Sequence, residues 1–192
     1  MKKLLPNHKL ILASKSPRRK ELLERSNIPF TIRTMEVEEI YPDSLPKSEV
    51  AEYLAILKAE AARPNLGEQE IVLGADSIVI LQDTIYGKPK DLEDAHHILR
   101  QLSGQVHEVI TGVCLISKDK KVSFSAVSKV WMEELTEEEI KYYVETFKPF
   151  DKAGGYAIQE WIGLCKISKI EGTYSNIMGL PTEMVYQALR TF

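Results

Sequence analysis

The chain has 192 residues, 44 % hydrophobic and 28 % charged, with a net charge of −3. That length and balance fit one large globular domain or two small lobes sharing a core. They exclude a broad basic face for nucleic acid, and no apolar run approaches the ~20 residues of a membrane-spanning helix.

The opening segment, MKKLLPNHK, is broken by Pro6 and polar residues. It reads as a short tail rather than a signal peptide. KLILA (9–13) reads as a buried strand. Ser16 followed by Pro17 suits a helix N-cap and first helical position, with Leu22 and Leu23 inward and an end near Ser26. FTIRTM (30–35) reads as a second strand, and EVEEIYPDSLP (36–46) as an acidic, proline-broken loop. Residues 47–62 carry a helical stripe of Val50, Leu54, Leu57 and Ala61, with Lys58 flanking it amid Ala51, Ala55 and Ala62. IVLGADSIVIL (71–81) reads as a central strand interrupted at Gly74-Ala75-Asp76, and IYGKPKD as an extended loop. Asp91 caps a helix over 92–103 that stops at Gly104.

Residues 106–117 and 122–135 read as strands joined at KDKK. Thr136 and Glu139 form a capping box for a helix reaching Phe147. KPFDKAGGYAIQEWIG reads as irregular, LCKISKIEG as a strand, TYSNIMGLP as a loop and TEMVYQALRTF as a closing helix. No repeat or linker divides the chain, and strands and helices do not strictly alternate. The expected fold is α/β with a mixed sheet, as one domain over residues 1–192. Cys114 and Cys165 lack metal-ligand spacing and lie in strand-like apolar runs, which reads as buried thiols in a reducing cytoplasm.

Two features point to chemistry. The first is the junction of strand 9–13 with the following helix, where Ser14, Ser16, Arg18 and Arg19 gather. Helix N-termini are positive and bind anions, so two arginines there either point to solvent or complete a phosphate cradle. The second is Asp76 inside an apolar strand, where a carboxylate is costly unless paired or metal-bound. It is a metal ligand, a general base or both, or else it ends a strand and caps a turn. Lys58 and Lys88 are either solvated or phosphate ligands, and Glu38 and Glu39 either help Asp76 hold a divalent ion or form a solvated loop. His96, His97 and His107 have no partners at metal spacing, and no Walker loop, nucleophile elbow or dinucleotide glycine triplet occurs.

Three blocks together resemble one family. LILASKSPRRKELL, then LGADSIVILQDTIYGKPKDLEDAHHILRQLSGQVHEVITGV, then DKAGGYAIQEWIGLCKISKIEGTYSNIMGLP resemble, in order and spacing, the signatures of Maf proteins, the septum-formation-inhibitor-like nucleoside triphosphate pyrophosphatases. The resemblance implies an elongated mixed sheet with two lobes around a central cleft, as in inosine triphosphate pyrophosphatases. It implies an enzyme, a homodimer at the family level, that takes a nucleoside triphosphate to the monophosphate and pyrophosphate with Mg²⁺ or Mn²⁺.

Carried over by motif, Asp76 matches the proposed general base. Ser14, Arg18, Arg19, Glu39, Lys58 and Lys88 match positions that handle phosphate and metal, with Glu39 and Asp76 as metal ligands. The GGYAIQ block resembles the branch acting on dTTP and UTP, and Arg18, Ser77 and Gln159 match positions that set base preference. The chain departs from that branch at Ser77, where Thr is usual, and at Glu160, where Gly is usual; a carboxylate there could crowd the base or repel phosphate. The alternatives are the same chemistry on a modified purine such as 7-methyl-GTP, or a nucleotide-binding regulator of cell division.

Overall fold

The structure is a computed structural model that describes Leu5 and residues 8–192; most of the N-terminal tail lies outside the described residues. Seven strands form one mixed sheet: β1 (Lys9–Leu12), β2 (Phe30–Ile32), β3 (Glu70–Leu81), β4 (Thr84–Tyr86), β5 (Val106–Ile116), β6 (Lys121–Met132) and β7 (Ile167–Glu171). Their order is β2-β1-β3-β5-β6-β7, with β4 also pairing to β3. The β1 strand runs parallel to both β2 and β3, whereas β4 on β3 and β7 on β6 are antiparallel. The helices are α1 (Pro17–Arg25), α2 (Val50–Ala62), α3 (Leu92–Leu102), α4 (Glu137–Phe147), α5 (Trp161–Cys165), α6 (Tyr174–Met178) and α7 (Thr182–Leu189).

The chain divides into two compact units. The first comprises Met1–Asp76, Thr111–Ala126 and Gly179–Phe192. Its core sets Ile11, Ala13, Val72, Cys114 and Ile116 of the strands and the residue after β1 against Ala55, Ala59 and Ala62 of α2 and Leu66. The second comprises Ser77–Ile110 and Val127–Met178. Its core gathers Val79, Leu99, Leu102, Val130, Tyr143, Val144, Tyr156 and Ile162.

Local rules set several boundaries as expected. Ser16 caps α1 by accepting from the Arg19 N–H, with Pro17 at the first helical position. Asp91 caps α3 through the Asp94 N–H. Thr136 and Glu139 form a reciprocal capping box on α4, which satisfies two of the N–H groups every helix start leaves without a partner.

Other expectations are corrected. The β3 strand runs unbroken through Gly74, Ala75 and Asp76. The glycine is there because α2 lies against it: a Cβ at Gly74 would stand 2.4 Å from the Ala55 carbonyl oxygen and 2.7 Å from the Ala59 nitrogen. Accordingly, the deep face of α2 includes Ala51, Ala55, Ala59 and Ala62 beside Val50 and Leu54, which are buried as expected, while Leu57 and Ala61 are half-buried. A stripe of methyl groups lets the helix backbone approach the sheet as leucines would not. The segment expected as an extended loop after β3 contributes β4, and TYSNIMGLP contains α6. Leu164 and Cys165 end α5 rather than lying in a strand, and Cys165 is exposed. Cys114 is buried as expected, its thiol pushed up to about 12 by burial.

Candidate active site

Six of the sequence-derived residues, Ser14, Arg18, Arg19, Glu39, Lys58 and Asp76, lie in the first unit. Asp76 extends from β3 with its side chain 10 % exposed, and its Oδ1 accepts from Lys58 Nζ at 2.5 Å. Lys58, on α2 and 15 % exposed, also meets Glu39 Oε1 at 2.7 Å from the 36–46 loop. One ammonium therefore sits between two carboxylates, and the trio carries a net charge of −1. The alanine face explains the reach: with α2 seated backbone-close on β3, the four-carbon lysine stem spans to a strand carboxylate while its methylenes pack. Water is scarce around the Lys58–Asp76 pair, so the charges act on each other more strongly than on a surface.

Arg19 answers the question posed by a cation at a helix start. Its side chain does not point to solvent. Nε donates to the Gly179 carbonyl at 2.9 Å and Nη1 donates to Ser14 Oγ at 3.2 Å, while that same hydroxyl accepts from the Ser16 N–H at 3.2 Å. Burial lowers the Arg19 pKa, and the positive charge of Arg18 adds to that effect; the carboxylates of Asp76 and Glu39 act in the opposite direction. The guanidinium is thus held in place by neutral acceptors and tuned by the same carboxylates that flank Lys58. Arg18 is half-buried beside it. The role of the Gly179 carbonyl is not legible in the sequence, since residue 179 is 160 positions away.

Ser77, Lys88 and Gln159 belong to the second unit. Ser77 is half-buried, and Lys88 is exposed in the segment after β4. Gln159 is half-buried, and its Oε1 is shielded from water without a hydrogen-bond partner. The Glu160 carboxylate is already engaged within the protein: Tyr143 donates to its Oε2, and Lys152 Nζ lies 3.3 Å from its Oε1. Lys152 is shared, since its Nζ also lies 2.9 Å from Asp151 Oδ1.

The residues also suit a divalent cation. Asp76 and Glu39 offer hard oxygen donors that already converge on one positive charge. Among the described residues no group of three or more His, Cys, Asp or Glu is arranged to hold a metal ion by itself.

The site thus comprises a pair of carboxylates, a shared ammonium and an anchored guanidinium near a strand–helix junction. The chain belongs to the Maf-like protein family, whose profile matches residues 9–192. It is 47% identical over 189 residues to the dTTP/UTP pyrophosphatase of Parabacteroides distasonis, an alignment covering 98% of both chains. It is likewise 47% identical over 190 residues to the dTTP/UTP pyrophosphatase of Christiangramia forsetii, covering 99% of this chain and 97% of that one. Among solved structures, the Staphylococcus aureus Ham1 protein aligns at 17% identity with a TM-score of 0.48, over 65% of this chain and 71% of that one.

Proposed function

We propose that this protein hydrolyses dTTP and UTP to the nucleoside monophosphate and pyrophosphate. Two things support the reading: relatives sharing almost half of all positions over nearly the full length are named for that activity, and Asp76, Glu39, Lys58 and Arg19 form one electrostatic group. The observation that carries it is the buried Asp76 carboxylate held against Lys58, since a carboxylate kept in a strand interior at such desolvation cost needs a task.

In this mechanism Arg18, Arg19, Lys58 and Lys88 bind the phosphate oxygens. Asp76 accepts a proton from water as its oxygen attacks the α-phosphorus, the bond from that phosphorus to the α,β-bridging oxygen breaks, and pyrophosphate leaves with the bond pair. Arg19, fixed by Ser14 and Gly179, and Lys58, fixed by two carboxylates, meet the charge growing on the departing oxygens without having to reorganise. A divalent ion held by Asp76 and Glu39 would supply Lewis-acid polarisation of the phosphoryl oxygens. Gln159 and Ser77 read the pyrimidine, the carboxamide both donating and accepting. The two free cysteines suit a cytoplasmic setting.

The test is pyrophosphate release from dTTP, UTP, dCTP, ATP and 7-methyl-GTP, with Mg²⁺ and after chelation. The expected result is metal-dependent turnover highest on dTTP and UTP. Asp76→Asn should still bind nucleotide while turnover falls by about 10²- to 10⁴-fold. Full activity in that variant would remove Asp76 from the chemistry, and preference for 7-methyl-GTP would overturn the substrate assignment.

A further inference from the structure

The second unit contains a clamp whose position is unexplained by core packing alone. Residues Ala157–Glu160 form a turn closed by the Glu160 N–H donating to the Ala157 carbonyl at 3.1 Å. Gln159 is its third residue. A single phenol from α4 holds both ends of this turn: Tyr143 Oη accepts from the Ala157 N–H at 3.0 Å and donates to Glu160 Oε2. Burial and the neighbouring Glu160 carboxylate raise the Tyr143 pKa, so the hydroxyl stays protonated and able to donate.

Two further anchors fix the flanks. Lys152, with a side chain 9 % exposed, pairs with the other Glu160 oxygen at 3.3 Å, and Tyr156 Oη lies 2.6 Å from His107 Nε2 on β5. Between these anchors the Gln159 Oε1 acceptor is withdrawn from water and has no hydrogen-bond partner among the described residues. An unpaired buried acceptor costs free energy. The turn tolerates it because its backbone is fixed from both ends.

We infer that Tyr143, acting through Glu160 and the Ala157 N–H, is a positioning residue that presents the Gln159 carboxamide to a donor on the nucleobase and so sets pyrimidine selectivity. The N3–H of thymine or uracil is a donor of the required kind, whereas the N3 of neutral cytosine is an acceptor. This rests on Gln159 reading the base as proposed above. Preorganisation of this sort acts on discrimination between bases more than on the phosphate chemistry.

The experiment compares kcat and KM for dTTP and dCTP in the wild type, Tyr143→Phe, Gln159→Ala and the double variant. Tyr143→Phe keeps the buried ring and removes only the clamp. It should raise KM for dTTP about tenfold with kcat within about twofold, shrinking the dTTP-to-dCTP ratio. In the double variant selectivity should be no lower than in Gln159→Ala alone, since residues working through one another are not additive. Glu160→Gln, which keeps an acceptor for Tyr143, should fall between the wild type and Glu160→Ala, giving a second reading should Tyr143→Phe fold poorly.

An unchanged ratio in Tyr143→Phe, or losses that simply add, would overturn the clamp while leaving Gln159 as the reader. An unchanged ratio in Gln159→Ala would overturn both. A wild type that cleaves neither dTTP nor UTP would instead sink the proposed function itself.

Discussion

The seat of α2 on β3 can be tested by one methyl group. In Gly74→Ala the new Cβ would stand 2.4 Å from the Ala55 carbonyl oxygen, where ordinary contact begins at 3.4 Å. The opposing atoms are helix backbone and cannot rotate aside, so α2 must retreat by about 1 Å. Overpacking of this kind costs about 2 kcal/mol, against roughly 0.5 kcal/mol gained from a less flexible unfolded chain. The net loss should lower the urea midpoint by about 1 M.

Lys58 precedes Ala59, the other residue beneath Gly74, so it rides on the displaced turn and its 2.5 Å contact with Asp76 is stretched. A misplacement of that size costs about 10² in kcat/KM. Urea unfolding and pyrophosphate release measure the two effects. Gly67→Ala is the control, because its Cβ would meet only the Glu70 side chain at ordinary contact distance. A Gly74→Ala variant as stable and as active as that control would refute the close seating of helix on strand and its role in aligning Lys58.

Two further outcomes follow from other parts of the chain. Burial pushes the His107 pKa down to about 4 from an ordinary 6.5. The unfolded chain therefore binds the proton first, and the stability this neutral ring provides is complete above pH 6.5 and declines as pH falls towards 4. At pH 4.5 the loss should be about 2 to 3 kcal/mol. His107→Asn should show a correspondingly flatter decline in urea midpoint between pH 7 and 4.5, and parallel curves would contradict the assignment. In the capping box, Thr136 Oγ1 accepts from the Glu139 N–H at 3.2 Å and Glu139 Oε2 accepts from the Thr136 N–H at 2.8 Å. Thr136→Ala should cost about 1 kcal/mol, or roughly 3 °C in melting temperature, with Thr136→Ser close to wild type; equal melting temperatures for the two variants would exclude a cap.

Local chemistry was legible where the cause is local. Ser16-Pro17, Asp91 and Thr136 with Glu139 each satisfy N–H groups within three or four residues, so their helices start where the sequence places them. The reading of β3 failed at Gly74 for the opposite reason. A glycine in a strand looks like an interruption, but its cause is a helix backbone some fifteen to nineteen positions earlier in the chain. The same nonlocal contact shifts the buried face of α2 from Leu57 and Ala61 towards its alanines, with Val50 and Leu54 buried as expected, because alanines rank below leucines as a core signal until close approach is the requirement. Cys165 ends α5 rather than lying in a strand, because the apolar run GLCKIS does not reveal where α5 ends and β7 begins. Within the candidate site, residue types and motif matches singled out Asp76, Glu39, Lys58 and Arg19. That Lys58 is shared between two carboxylates, and that Tyr143 touches both ends of the Gln159 turn, depends on tertiary geometry no spacing rule encodes.

The bond from Arg19 to the Gly179 carbonyl also has a bearing on biosynthesis. A chain emerging from the ribosome can form α1 early, yet the guanidinium lacks its main-chain acceptor until Gly179, 160 positions further on, has been made. A nascent fragment ending before that glycine would carry Arg19 without the carbonyl that orients it.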